Sequence, residues 1–277
     1  MNDITEKRIE NFKNYLQQEE KSDFTLEKYL RDVKKFAIWT SGRTINKTVV
    51  IEYKNSLIKK YAPATVNSVL SSLNSFFEFS GWRDMKIKMI KIQRQIFIDR
   101  EKELTKEEYE KLLEAAKTNK RLYYLIQTIC STGIRVSELK YITVEAVKTA
   151  SAVIKCKGKM RQILLPKQLC VMLKKYIHSH KITKGAIFVS RNGKPLDRSN
   201  IWKMLKDLCK KTNVLKEKVF PHNFRHLFAR TYYSMQKDIV RLADILGHSN
   251  VNTTRIYTME TGEIHRKQIQ KLGLLRN

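Results

Sequence analysis

The chain has 277 residues, 42% of them hydrophobic, with only four prolines and nine glycines. It can bury a sizeable core and is neither low-complexity nor disordered in composition. Lys and Arg number 55 against 27 acidic residues, a net charge of +28; this argues against a neutral small-molecule enzyme and for a polyanion partner, because each cation set on a phosphate releases condensed counterions. In chain order, residues 5–20 and 24–40 read as helices, the second through Phe24, Tyr29, Leu30, Val33, Phe36 and Ala37. Residues 46–60 form a third. Residues 62–80 are the clearest, since Val66, Val69, Leu70, Leu73, Phe76 and Phe77 recur on one helical face. Pro63 suits a first turn and Gly81 marks the stop. Four short helices on short polar loops predict a small helical bundle over residues 1–82.

Residues 83–104 alternate basic and apolar side chains and then turn charged. They read as an extended basic linker, with an edge strand as the alternative. A linker lying along a DNA backbone would account for Arg83, Lys86, Lys88, Lys91 and Arg94 together. At Thr105, with Glu108 three residues on, a capping box opens a helix through Tyr109, Leu112, Leu113 and Ala116, and a second helix covers about 121–131. β-branched runs at 151–155 and 161–165 flank a Lys-rich, Gly-containing turn, which predicts a hairpin; residues 186–194 add a strand and an Asn192-Gly193 turn. Beyond residue 199 the pattern is helical. The second part, 105–277, is therefore expected to be α+β with a small antiparallel sheet, and the whole chain mainly α. Residues 101–277 are also the more basic part, at +21 against +7 for residues 1–100.

The start of the chain has no apolar signal core, and no run of about 18 apolar residues occurs, so no membrane span is expected. Cys130, Cys156, Cys170 and Cys209 are scattered without zinc spacing. They read as free thiols in a reducing cytoplasm. His178 and His180 form an HxH beside a Lys-rich helix and read as solvated. No metal site is predicted.

Three blocks stand out. In STGIRVSEL (131–139) a glycine turn delivers Arg135 to a helix start, with Glu138 as its i+3 neighbour. In PHNFRH (221–226) a proline opens a helix carrying His222 and Arg225, with His226 one step round. In LGHSNVNTTRIY (246–257) Gly247 ends a helix, His248 lies in the turn, and Tyr257 falls about two turns into a following helix. Each block alone could be structural. All three in this order, in a chain this basic, resemble the tyrosine recombinases, the phage or lambda integrase family. That signature is an arginine in a TGxRxSEL-like block, a HxxR pair and a GH…Y block, and the resemblance spans essentially the whole chain.

The resemblance implies a core-binding N-terminal bundle of SAM-like fold and a catalytic domain that breaks and remakes DNA strands without metal, ATP or other cofactor. The residue types suit that chemistry. A tyrosine, with a pKa near ~10, leaves far more easily than an aliphatic alcohol. Two guanidiniums stay charged and can grip non-bridging oxygens in place of a metal ion. By resemblance, Tyr257 is the nucleophile and Arg135 and Arg225 form the clamp. His222 accepts the phenolic proton or bonds the phosphate, and His248 donates to a non-bridging oxygen. Glu138 orients a Lys or Arg. A hairpin lysine is the general acid: Lys157 precedes the glycine, but the turn is about one residue shorter than the common form, so Lys159 competes. The expected product is a 3′-phosphotyrosyl link with a free 5′-hydroxyl. The expected partners are double-stranded DNA and further copies of the chain, a tetramer on two sites held by residues 262–277. The expected setting is the cytoplasm of a bacterium, or of the host of a phage or mobile element. Alternatives are a catalytically silent DNA-binding protein of the same fold, and a metal-dependent nuclease or transposase using acidic residues.

Overall fold

In the computed structural model, residues 3–92, 100–156, 159–259, 266–267 and 269–272 are described. The chain divides into two compact units, Met1–Arg94 and Gln95–Asn277.

The first unit is four helices: α1 (Glu6–Gln18), α2 (Asp23–Trp39), α3 (Lys47–Ile58) and α4 (Pro63–Phe79). Thr5, Ser22 and Asn46 each accept a hydrogen bond from a first-turn amide, while α4 starts on Pro63, whose missing N–H costs nothing there. The apolar faces meet in a core of Phe12, Leu16, Val33, Phe36, Leu70 and Phe76, all fully buried; each such side chain contributes about 1.5–3 kcal/mol relative to exposure. One charge sits inside. Asp32 is buried and held by the Lys28 ammonium at 2.8 Å and the Ser72 hydroxyl at 2.9 Å, so it is not left unpaired.

This unit runs past residue 82. Arg83–Met85 form a short 3-10 turn and residues 86–92 follow without regular structure; the segment is neither a free linker nor an edge strand but lies along the bundle. Met85 and Ile87 insert into the core beside Trp82. Two α4 asparagines bracket the backbone, Asn74 with Ile87 at 2.9 and 3.0 Å and Asn67 with Ile90 at 2.8 and 2.9 Å. The alternation read as a linker is therefore Met85, Ile87 and Ile90 facing the helices and the lysines facing out, with Met89 and Ile92 exposed.

The second unit contains α5 (Lys106–Ala116), α6 (Lys120–Thr132), α7 (Val144–Lys148), β1 (Ser151–Cys156), β2 (Lys159–Leu164), α8 (Lys167–Ser179), α9 (Arg198–Cys209), α10 (Pro221–Gln236) and α11 (Ile239–Leu246). The capping box at Thr105 and Glu108 is present. β1 and β2 pair antiparallel, Ser151 opposite Leu164 through Cys156 opposite Lys159. Ala152, Ile154 and Ile163 turn inward to the main core, which α5, α6, α8, α9 and α10 complete. Residues 186–194 do not add a strand to this sheet. They make two isolated bridges, Thr143 with Ala186 and Val189 with Pro195, because a single main-chain strip docks on the turn before α7 and then folds back at Asn192-Gly193. Among the described residues no helix is long and apolar enough to cross a membrane.

Candidate active site

Three chain corners bring the reactive residues together. α6 ends at Gly133 in the left-handed region (φ 63°), where a Cβ would lie 2.5 Å from Phe228; only glycine fits so close an approach. The chain then enters a 3-10 turn, Val136–Tyr141, capped by Arg135. Glu138 reaches back to the Arg135 amide at 2.9 Å and to its guanidinium at 3.0 Å. α10 starts on Pro221 and carries His222 at the cleft mouth and Arg225 inside, 1% exposed. α11 ends at Gly247 (φ 64°), which releases His248.

Tyr257 does not lie two turns into a helix. It closes the second of two short 3-10 turns, Val251–Thr253 and Arg255–Tyr257. Asn250 folds its side chain onto the Asn252 amide at 2.8 Å. The β-branched Val251, Thr253 and Thr254 resist α-helix propagation.

The carboxyl end of α11 organises the site. A helix leaves its last carbonyls without partners and carries partial negative charge there. Three successive carbonyls each accept from a different arginine: Ile245 from Arg161 (2.9 Å), Leu246 from Arg225 (2.8 Å) and Gly247 from Arg135 (3.4 Å). Arg225 also donates to the Gly133 carbonyl and, at 3.1 Å, to His248 Nε2. A guanidinium only donates, so Nε2 accepts; the His248 proton is then on Nδ1, which donates to Thr254 Oγ1 at 2.9 Å. Glu138, 6% exposed, holds Arg161 at 2.5 Å as well as Arg135. Burial pushes its carboxyl up, but the Arg135 amide and the two guanidiniums outweigh that and keep it below the usual range. Arg225 is lowered to about 10 by burial and by the charges of Arg135 and Arg161, and stays protonated at neutral pH.

Tyr257 is 5% exposed and packs with Ala229, Leu242 and Leu246. Its ring lies nearly parallel to His248 (centroids 6.4 Å apart) and edge-on to His226 (5.2 Å). Burial raises its phenol; Arg225, as charge and hydrogen-bond donor, and then the charge of Arg135 pull it back. His226 Nδ1 in turn lies 3.6 Å from Glu103, which also pairs with Arg230.

Both His222 and His248 drop to about 4, first through desolvation against the protein and then through neighbouring positive charges, chiefly His226, Arg225 and Arg135 for His222 and Arg225, Arg135 and Arg161 for His248. Both are neutral at pH 7. The unfolded chain, with ordinary imidazoles, takes up protons first on acidification, so stability is full above 6.5 and falls as the pH drops from 6.5 towards 4. Glu138 and Glu103 lose their contribution only lower, below 4.5. Thermal melts across this range should show a declining midpoint, with a shallower slope in His222→Asn; a flat midpoint from 6.5 to 4.5 would contradict the two imidazole positions.

Arg135, Glu138, His222, Arg225, His248 and Tyr257 are thus brought together, and Arg135, His222 and Arg225 line a cleft of about 570 Å³ with Arg198 and Trp202 of α9. Lys157 lies outside the described residues; Lys159 takes its main-chain place at the start of β2. Arg83, Lys86, Lys88 and Lys91 are exposed on the first unit, Arg83 and Lys86 paired with Glu78, and Arg94 lies outside the described residues. Sequence reasoning passed over Arg161, Thr254 and Glu103 and gave His226 no role. Only the hairpin register gives a hint of Arg161, which stands opposite the inward-facing Ile154. His180 packs on Tyr176 (ring centroids 4.2 Å apart).

Residues 102–263 match the phage integrase family and residues 9–84 match the phage integrase N-terminal SAM-like domain. Tyrosine recombinase XerA of Thermococcus kodakarensis is 31% identical over 96% of this chain and 95% of its own length. Tyrosine recombinase XerD of Halalkalibacterium halodurans is 27% identical over 87% of this chain and 88% of its own. Among solved structures, XerA recombinase matches at 25% identity with a TM-score of 0.53, covering 99% of this chain and 100% of that one. A lambda integrase dimer bound to a COC′ core site has the same fold, with a TM-score of 0.73 at 17% identity, covering 93% and 96%. With the order of its motifs, the arginine–imidazole–phenol site and these matches in agreement, the chain belongs to the phage integrase family of tyrosine recombinases, enzymes that cut and rejoin DNA strands.

Proposed function

We propose that the chain is a site-specific recombinase or integrase in which Tyr257 attacks a DNA phosphate held by Arg135 and Arg225. The observation that carries this reading is the convergence of both guanidiniums on the α11 carbonyls beside the buried phenol. In the reaction the Tyr257 Oη–P bond forms and the P–O5′ bond breaks. The two guanidiniums leave the carbonyls for the non-bridging oxygens, where charge develops. His222, neutral and at the cleft mouth, takes the phenolic proton. Lys157 on the hairpin, or Lys159, protonates O5′. Once Arg225 has turned to the phosphate, His248 donates to a non-bridging oxygen as its Nε2–H tautomer, with Nδ1 then accepting from the Thr254 hydroxyl. Rejoining reverses each transfer, and the phosphotyrosyl ester keeps the bond energy that rejoining needs.

The substrate is double-stranded DNA. XerH bound to its difH substrate and Tn1549 integrase in complex with transposon right end DNA share the fold. Arg83, Lys86, Lys88 and Lys91 face out from the first unit and would meet backbone phosphates, with Arg94 continuing the series. A tetramer on two duplexes is the working assembly, held by residues 262–277. Ile269 and Leu272, 66% and 63% exposed, are the apolar side chains offered for it, and Ile264 lies outside the described residues. The cell compartment is the cytoplasm.

The test uses duplexes tiled across the DNA flanking the gene. The fragment bound most tightly is nicked next to each candidate cleavage position, so that cleavage frees a short end and traps the adduct. The expected result, in excess chelator and without ATP, is a protease-sensitive protein–DNA adduct at a 3′ phosphate with a free 5′-hydroxyl. Tight binding without any adduct would instead identify a silent DNA-binding protein, and activity lost to chelator would identify a metal-dependent nuclease.

A further inference from the structure

Besides those of Arg135 and Arg225, a further guanidinium is tied to the same helix end. Arg161 of β2 has both terminal nitrogens engaged: one donates to the Ile245 carbonyl at 2.9 Å, the other to Glu138 at 2.5 Å. Its side chain is largely buried, and it does not line the cleft that Arg135, His222 and Arg225 share. It is therefore turned away from an incoming phosphate and towards the groups that hold Arg135. Glu138 uses one oxygen on the Arg135 guanidinium and the other on the Arg135 amide and on Arg161. Remove Arg161, and the second oxygen keeps only an amide; the carboxylate is then free to rotate, and the Arg135 fork rotates with it.

The corner opposite is shaped around the same side chain. At Gly247 a Cβ would fall 2.4 Å from Arg161 Cδ and 2.7 Å from Nη1. The carbonyl of that glycine receives Arg135, and the next residue is His248. Arg161 thus joins the hairpin, the Arg135 turn and the His248 corner, three segments far apart in sequence.

We propose that Arg161 is a positioning residue for strand cleavage, fixing Glu138, and through it the Arg135 guanidinium, while tying β2 to the His248-bearing end of α11. The proposal rests on the recombinase reading above.

The measurement is single-turnover cleavage on a nicked duplex that the unaltered protein already converts to adduct, with duplex affinity and thermal midpoint measured in parallel. If the unaltered protein gives no adduct, the recombinase reading itself has failed, and the Arg161 comparison is not reached. Arg161→Ala should bind within about threefold of the parent and cleave about 10–100-fold more slowly, the range for groups that orient a reactive side chain from behind. Arg161→Lys, which can keep only one of the two contacts, should recover part of the rate, and it carries the comparison if the alanine variant does not fold. In a Glu138→Gln background, the further loss from removing Arg161 should shrink to under about threefold, because residues acting in one chain are not additive. Gly247→Ala, which pushes Arg161 aside, should reproduce the cleavage defect. Cleavage at the parental rate in Arg161→Ala, or losses from Arg161 and Glu138 that simply multiply, would overturn the proposal.

Discussion

Tyr257→Phe is expected to bind its duplex as tightly as the parent and to yield no covalent adduct, a loss of at least about four orders of magnitude in strand cleavage, since the reaction runs through one bond to one oxygen. The side chain can be replaced cleanly. A phenyl ring keeps the contacts with His248, His226 and the Ala229–Leu242–Leu246 cluster. Only the hydroxyl and its interaction with Arg225 are lost, about 0.5–1.5 kcal/mol by the usual worth of one hydrogen bond. The checks are adduct formation on the nicked duplex and a titration of the intact one. An adduct that persists would place the nucleophile elsewhere, and a tenfold fall in affinity would mean that the phenol serves binding rather than attack.

Arg225 should show the second large effect, split between stability and catalysis. Its guanidinium serves the Gly133 and Leu246 carbonyls and His248 from a buried position. Arg225→Ala orphans all three acceptors, while relieving the repulsion from Arg135 and Arg161. With charge-assisted bonds worth about 1.5–3 kcal/mol each and that relief set against them, a net loss of about 2–5 kcal/mol follows. For a unit of this size the melting midpoint falls by roughly 5–15 °C. Arg225→Lys is the more telling variant. An ammonium keeps the charge but presents no planar fork, so it can satisfy one carbonyl or the phosphate but not hold both sides. The expected result is a folded protein with near-parental affinity and cleavage reduced about 10²–10³-fold, the size of losing one preorganised donor. Parental cleavage by the lysine variant would remove Arg225 from the clamp.

The features most legible in the sequence were those set by local rules. The face Val66–Val69–Leu70–Leu73–Phe76–Phe77 is a helix because its period is helical, and Thr105 with Glu108 starts one because the reciprocal bonds span a single turn. The order of the Arg135, His222–Arg225 and His248–Tyr257 blocks was equally open to view. What stayed hidden depends on contacts distant in sequence. Residues 83–92 alternate like a strand, and only the Asn67 and Asn74 side chains, set by α4, reveal that they dock on the bundle. The segment 251–257 has helical spacing, yet β-branching and the Asn250 and Thr254 side chains favour 3-10 turns. Arg161 looked like one more basic strand residue, and its meaning depends on Glu138 and Ile245, 23 and 84 positions away.

The Leu246 and Gly247 carbonyls at the end of α11 already take the guanidiniums of Arg225 and Arg135, so under the proposed function a piece of the protein stands where DNA oxygens would bind. On that proposal a phosphodiester would have to displace this internal surrogate, and the affinity it gained would be the difference between two sets of bonds rather than the full strength of one. Small free anions, which bring no other contacts, therefore compete poorly for these arginines, whereas a duplex gripped along its length can drive the exchange. When a rejoined strand departed, the guanidiniums would fall back on the helix end, and the catalyst would not be held by its own product.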